Sequence, residues 1–458
     1  MGDEIDAQAQ EPTPQQAQAT LQLALQAARH RQTVADQGFF KRVSRTCNIE
    51  QEVHCLSSRT GLPLSAEVVI NAGTIPYTRF ETVTSILEFD ASDILSLEPT
   101  TLLGLYSSLL ARTQRIQELL KAQTPEALVV PIGVQPMLET GKWQEWLVPD
   151  VGLRRRYHLI DVATRKENPQ RMITLEGSER QIFTESSSYM AVMTRCAGTQ
   201  FHIAHRSVEE ALMAHNISLF TAPVLAALFG NSPFVGGIDS GRASARLDLL
   251  LQGEPLRAGL PRPSYSLYEY YEHQLMRAQS PFFVEESAER ALQLMHGSIH
   301  TTSRLQVDMT QGTIRNEFRC IDAQSPFRSL QAFLLLLGTI DGLQGYPLAT
   351  HEESERNLRN AIWGPGASMF VQGKRTTALV LARELVDVAL KTLSQTGFGM
   401  LAREFLTPLL ENELQHGTTQ AHDLRTHVQR QGKQEQEFRA ALVESLCSWN
   451  LKCLEGNE

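Results

Sequence analysis

Four short segments of this chain alternate with period two, and each gathers its polar residues on one side. In "CNIEQEVHC" the even positions are Asn48, Glu50, Glu52 and His54, and the odd ones are Ile49, Val53 and Cys55, with Gln51 the single polar intrusion. "TVTSILEFDAS" sets Glu88 and Asp90 against Val83, Leu87 and Phe89. "GTQFHIAH" sets Gln200 and His202 against Phe201 and Ile203, and "GTIRNEFRCI" sets Arg315, Glu317 and Arg319 against Ile314, Phe318 and Cys320. That period belongs to half-buried strands. Singly, each segment is what an antiparallel sheet with one wetted face shows. Joined in one sheet, they crowd Glu50, Glu52, Glu88 and Glu317 into a common space, where like charges raise one another's pKa unless cations intervene. Oxygen-rich clusters of that kind suit magnesium or manganese, with an imidazole or amide completing the shell. A divalent-metal cavity is therefore expected.

The rest of the composition narrows the class. At 458 residues the chain has room for two or three domains, or for one large enzyme core with appendages. Hydrophobic content of 42% with 20% charged residues argues against wholesale disorder. A net charge of -9 gives no reason to expect nucleic acid or a membrane surface as partner. The longest apolar run, "AFLLLLGTI", is far short of the ~18–20 residues of a membrane span. The N-terminus shows neither a basic then apolar leader nor a myristoylation pattern, so a cytoplasmic protein is expected. Cys47, Cys55, Cys196, Cys320, Cys447 and Cys453 stand singly in apolar contexts without C-x-x-C and read as buried thiols.

Residues 1–18 read as a disordered tail, followed by a short lead-in helix to about Val34. Leucines at helical spacing mark a helix over 100–121. The polar stretch 150–186 reads as an excursion over a site mouth, with Trp143 and Trp146 just before it as packing or lid anchors. Further helices are expected at 207–230, 242–252, 284–295, 327–344, 376–395 and 420–448. The resulting organisation is a tail and lead-in helix to 35, a core over 36–375, and an appended helical region over 376–458. No phosphate-binding loop, dinucleotide fingerprint, zinc-protease motif or nucleophile elbow is present. In "LFGNSPFVGGIDSGRASARLDLLL", Gly236, Gly237 and Gly241 are expected to bring backbone near a ligand, and an arginine of the following helix to clamp an anion.

These residues resemble the glutamate-cysteine ligase family, in its plant-like and bacterial carboxylate-amine ligase branch. "NSPFVGGIDSGRASAR" is similar to that family's N-S-P-F and glycine loop, "NIEQE" to its G-x-E-x-E strand, "QFH" to its His/Gln-x-His/Asn strand, and "GTIRNEFR" to its late G-T-x-x-x-E-x-R strand. Glu81 and Glu88 match a second acidic pair. The chain departs from the pattern at Asn48, where the family has glycine, at Arg242, where it has tyrosine, and in the shifted "ERNLRNAIWG". The resemblance implies an α+β fold with a large curved antiparallel sheet forming a glutamine-synthetase-like funnel. It implies ATP as cosubstrate, Mg2+ or Mn2+, and transfer of the γ-phosphate to a carboxylate, giving an acyl phosphate that an amine attacks. By resemblance the metal ligands are Glu50, Glu52, Glu81, Glu88, Gln200 and Glu317. His202 is either a further ligand or a support for one. Arg246 and Arg319 meet the carboxylate or the phosphoryl group, while Arg156, Tyr157, Gly241 and Arg246 contact substrate. The expected substrates are glutamate and an amine such as cysteine. A different amine and a catalytically silent nucleotide-binding relative stay open as alternatives, as does a homo-oligomer. Glu81 does not share parity with Glu88, so a bulge or loop position is required of it.

Overall fold

In the computed structural model the four acid-bearing segments are strands of a single antiparallel sheet. The structure describes residues 12–92, 95–138, 145–148, 160–162, 172–176, 181–186, 189–253, 256–277, 283–285, 287–345, 349–431 and 435–455. Numbering only the strands of this sheet, they are β1 (Thr46–Ser57), β2 (Thr78–Phe80), β3 (Ile86–Asp90), β4 (Leu95–Ser96), β5 (Ala127–Val130), β6 (Gly198–Ala204), β7 (Ser303–Asp308) and β8 (Thr313–Asp322). Their order is β7-β8-β6-β1-β3-β2, with β4 and β5 pairing the two ends of β1, and the sheet curls into a half-barrel. At twelve residues β1 is the spine, long enough to hold β4 and β3 in turn along one edge and β6 and β5 along the other.

The apolar parity of the strands builds the core. Ile49, Val53, Phe89, Phe201, Ile203 and Phe318 are buried under α3 (Val208–Leu228), α7 (Pro326–Gly342) and α9 (Ala378–Ser394), which follow α1 (Pro14–Asp36) and α2 (Pro99–Gln123) in chain order. Phe201 meets Phe333 of α7 edge to face at 5.6 Å. A Cβ built on Gly338 of α7 would lie 2.6 Å from Ala389 of α9, so glycine there sets how closely these two helices approach. The C-terminal region is helical, and its first helix shares this core. The apolar helix α3 is long and hydrophobic enough to cross a membrane by length and composition, but 83% of its window is buried inside the protein, as a core helix requires. Longer than "AFLLLLGTI", it is the segment a search for unbroken apolar runs overlooks, because Asn216 and His215 interrupt it.

Besides the short turns Glu67–Ala72, Tyr189–Met193 and Leu409–Leu414, the other helices among the described residues are α4 (Ala245–Gly253), α5 (Leu267–Arg277), α6 (Ala288–Gly297), α8 (His351–Ala361), α10 (Gly399–Pro408), α11 (Gln420–Gln431) and α12 (Glu435–Glu455). Helix α1 starts at Pro14, inside the stretch read as tail, because Thr13 and Gln16 close a capping box and Pro14 stands in the first turn. Its inner face packs on α5 and α6, with Arg31 buried against Tyr271 and Glu289. The expected helix 420–448 is two, α11 and α12. Five of the six cysteines are buried; burial pushes Cys47, Cys55, Cys196 and Cys320 up to about 12. His54 is a core histidine, fully buried and pushed down to about 3. A cavity of about 390 Å³ lies among α7, α11 and α12, lined by Arg328, Gln331, His427 and Trp449, and shares no residue with the acidic strands.

Candidate active site

Strand register decides which acids meet. Across β1 and β3, Glu50 faces Asp90 and Glu52 faces Glu88; across β1 and β6, Glu50 faces Gln200 and Asn48 faces His202; across β6 and β8, His202 faces Glu317. Directly opposed residues share a face of an antiparallel sheet with Cβ atoms ~4.5–5.5 Å apart. The polar parities therefore merge into one acidic face. Carboxylate oxygens of Glu50, Glu52 and Glu88 all lie within 4.8 Å of one another, and all three residues are largely buried.

Glu81 joins this face without a bulge. It follows β2 in the turn of a hairpin whose register pairs Arg79 with Glu88, and its N–H donates to the Ile86 carbonyl. Opposed residues share a face whatever their sequence parity, so the turn puts odd-numbered Arg79 and Glu81 beside even-numbered Glu88. A β-bulge does occur elsewhere: the β6–β8 register slips between Phe318 and Ile321, at Arg319.

The charges sort into two groups. Glu317 accepts from Arg304 at 2.8 Å and Gln306 at 2.8 Å, and lies 3.2 Å from Arg319. Burial would raise its pKa, but Arg304 and Arg319 outweigh burial and hold it well below the usual carboxylate range. Glu52 accepts from the Gly198 N–H at 2.6 Å and from Gln200 Nε2 at 2.9 Å, yet burial, opposed by Arg246, leaves its pKa raised. Burial also works to raise Glu50, but His202, whose Nε2 is 3.4 Å away, brings it down. Glu81 is pushed up to about 8, first by burial and then by Glu52 and Glu50. Within the sheet, Arg79 supplies the nearest guanidinium to the trio, meeting Glu88 and lying 3.5 Å from Glu50.

This donor set fits a hard divalent cation. Three carboxylates converge, and Gln200 Oε1 and His202 Nδ1 are buried without a hydrogen-bond partner. An amide oxygen and an imidazole are the donors that complete such a shell.

The glycine loop supplies the facing cation. Asp322, at the end of β8, accepts from the Asn231 N–H at 2.9 Å, from Ser232 Oγ at 2.6 Å and from Ser244 Oγ at 2.7 Å, clamping both ends of the loop. Gly236 (φ 59°) and Gly237 (φ 76°) form the two-residue turn of the hairpin Phe234–Val235/Ile238–Asp239, so their conformation answers to a tight turn. Gly241 (φ 74°) has open space where a Cβ would stand; the left-handed backbone is what demands glycine there. Arg242 precedes α4 instead of lying on it. It is held by Asp248 and lies over Trp363 at 5.1 Å, a structural pairing. Arg246, in the first turn of α4, donates through Nη1 to the Ile321 carbonyl at 3.0 Å and lies across Gly198. A Cβ on Gly198 would come within 2.4 Å of its Nη2, so the missing side chain is what lets the guanidinium lie on the strand beside Glu52. Arg319 also contacts His300 Nδ1 at 3.2 Å.

The structure thus brings together Glu50, Glu52, Glu81, Glu88, Gln200, His202, Glu317, Arg246 and Arg319. Arg156, Tyr157, Trp143 and most of the 150–186 excursion lie outside the described residues, whereas Trp146 packs in an apolar cluster with Val83, Ile86 and Ala197. Sequence reasoning missed Arg79, Arg304, Gln306, Gly198 and Asp322. Arg304 and Gln306 were detectable, since "SRLQVD" alternates as the other strands do.

Residues 48–444 match the family model of glutamate-cysteine ligase family 2. The chain belongs to that family. Among curated relatives in the family, glutamate–cysteine ligase 2-1 of Rubrobacter xylanophilus is 37% identical over 101 residues, 22% of this chain and 26% of that protein. The glutamate–cysteine ligase of Halobacterium salinarum is 29% identical over 144 residues, 30% of this chain and 34% of that protein. The matched stretches thus span about a quarter to a third of these relatives' lengths. Two solved structures share the fold. The glutamate–cysteine ligase of Francisella tularensis in complex with AMP has a TM-score of 0.56 at 12% identity, covering 91% of this chain and 94% of that one. A bifunctional glutathione synthetase from Pasteurella multocida has a TM-score of 0.59 at 15% identity, covering 93% of this chain and 54% of that one.

Proposed function

We propose that this chain is an ATP- and divalent-metal-dependent carboxylate-amine ligase that activates the γ-carboxylate of glutamate and joins it to an amine such as cysteine. The observation that carries this reading is the convergence of Glu50, Glu52 and Glu88 on one face, with Arg246 and Arg319 beside them. The γ-phosphoryl group passes to a carboxylate oxygen as ADP leaves; the amine nitrogen then attacks the acyl carbon and phosphate departs. Two anions meet in the first step, so the site must supply positive charge and keep water from the acyl phosphate.

Glu50, Glu52 and Glu88 would hold Mg2+, or Mn2+, with Gln200 Oε1 and His202 as completing donors and Glu81 joining once a cation favours its ionised form. Bound there, the metal would shield phosphate charge. Arg246 and Arg319 are assigned to the phosphoryl group or the acid substrate. Glu317, forked on Arg304, fixes where the Arg319 guanidinium points, and its own place as a ligand requires those pairs to open. Gly241, Arg156 and Tyr157 are assigned to substrate from the resemblance.

ADP release from ATP and glutamate, measured with Mg2+ across a panel of amines, tests the reading. Stimulation by cysteine alone supports the γ-glutamylcysteine reaction, and stimulation by another amine moves the chemistry to that amine. No release with any acid or amine would leave a nucleotide-binding relative and refute the proposal.

A further inference from the structure

The cation that the acidic trio holds in this structure is a side chain. Arg79 reaches in from β2, meets Glu88, and lies 3.5 Å from Glu50 Oε2 and 3.7 Å from Asp90 Oδ2. Glu50 and Glu88 are two of the three carboxylates whose oxygens converge. A divalent ion drawing on those oxygens needs the lone pairs that the guanidinium now takes, and two cations so close repel.

Resting on the ligase reading, we infer that Arg79 is a tethered counter-ion that competes with the divalent metal for the acid cluster and is displaced to the rim of the site when metal loads. Three features distinguish Arg79 from the other arginines of this face. Its side chain is 53% exposed, so solvent is open to it, whereas those of Arg304 and Arg319 are only 12% and 15% exposed and are fixed on Glu317. Strand β2 is three residues long and lies at the edge of the sheet, paired on one side only. Such an element opens at little cost. Two residues upstream, Tyr77 holds φ 57°, a conformation that favours glycine, so the entry to β2 is itself strained. The arrangement neutralises buried carboxylates before metal arrives, then leaves a positive charge at the mouth where anionic substrates enter.

The test is Mn2+ binding by full-length wild type and the variants Arg79→Ala, Arg79→Gln and Arg79→Lys, titrated by EPR, alongside thermal unfolding without metal. If the ion pair occupies nine-tenths of metal-free molecules, removing it tightens Mn2+ binding about tenfold. Arg79→Lys falls between, and the metal-free Ala and Gln variants melt earlier. Were Arg79 merely structural, its loss would lower both stability and metal affinity. Mn2+ binding that is unchanged or weaker in folded Arg79→Ala and Arg79→Gln overturns the inference. If Glu88→Gln abolishes binding in that same experiment, the metal site stands and only the role of Arg79 falls. Absence of Mn2+ binding by every variant overturns both, and binding by Arg79→Ala where wild type binds none supports both.

Discussion

Replacing Gly198 by alanine should disable the enzyme while leaving it folded. The added Cβ would stand 2.4 Å from Arg246 Nη2 and 2.9 Å from its Cζ, where ordinary contact begins at 3.4 Å, so the guanidinium must move by about 1 Å. The Nη1 bond to the Ile321 carbonyl restrains it, and overpacking of this kind costs ~1–3 kcal/mol. A reacting group misplaced by ~1 Å loses about a hundredfold in rate. The expected result in glutamate-dependent ADP release is therefore a kcat drop of about a hundredfold, with melting lowered by only a few degrees. The double variant Gly198→Ala/Arg246→Ala should be no slower than Arg246→Ala alone, because both changes act through one guanidinium. Turnover of Gly198→Ala within twofold of wild type would refute the placement of Arg246 at the reacting groups.

Three further outcomes follow from the charges and thiols. Glu81 keeps its proton in the folded protein up to about 8, while the unfolded chain releases it near 4.5, so Glu81 makes the metal-free protein lose stability as pH rises through that window; Glu81→Gln should flatten that fall in melting curves recorded from pH 5 to 8, and superimposable curves would contradict it. Glu317→Gln leaves Arg304 and Arg319 without their buried carboxylate and should cost ~3–5 kcal/mol in denaturant unfolding, whereas Glu52→Gln removes a charge that burial disfavours and should leave the metal-free protein as stable or more so. Thiol titration of the native protein should modify half-buried Cys447 first, an order that Cys447→Ser would abolish.

The polar and apolar parities of the acid-bearing strands were legible because a strand's two faces are written locally, residue by residue. Register was not, since it depends on which strands pair, and only register shows that Glu52 stands opposite Glu88 while Glu317 lies across His202. Parity requires a bulge or a loop position of Glu81, and the hairpin turn supplies the loop. Arg79 escaped notice because three residues are too few to show a period. The capping box of Thr350 and Glu353, which starts α8, is written locally in the sequence. The loop glycines were read for ligand approach, yet Gly236 and Gly237 serve a turn, and the close approach belongs to Gly198, which no local pattern connects to Arg246.

Anomalous diffraction from crystals grown with Mn2+ and ATP tests most directly whether remote strands pool their acids around metal. The prediction is one or more peaks ligated by Glu50, Glu52 and Glu88, with the γ-phosphate toward Arg246 or Arg319. Peaks confined to other surfaces, with Arg79 still on Glu50 and Glu88, would contradict it.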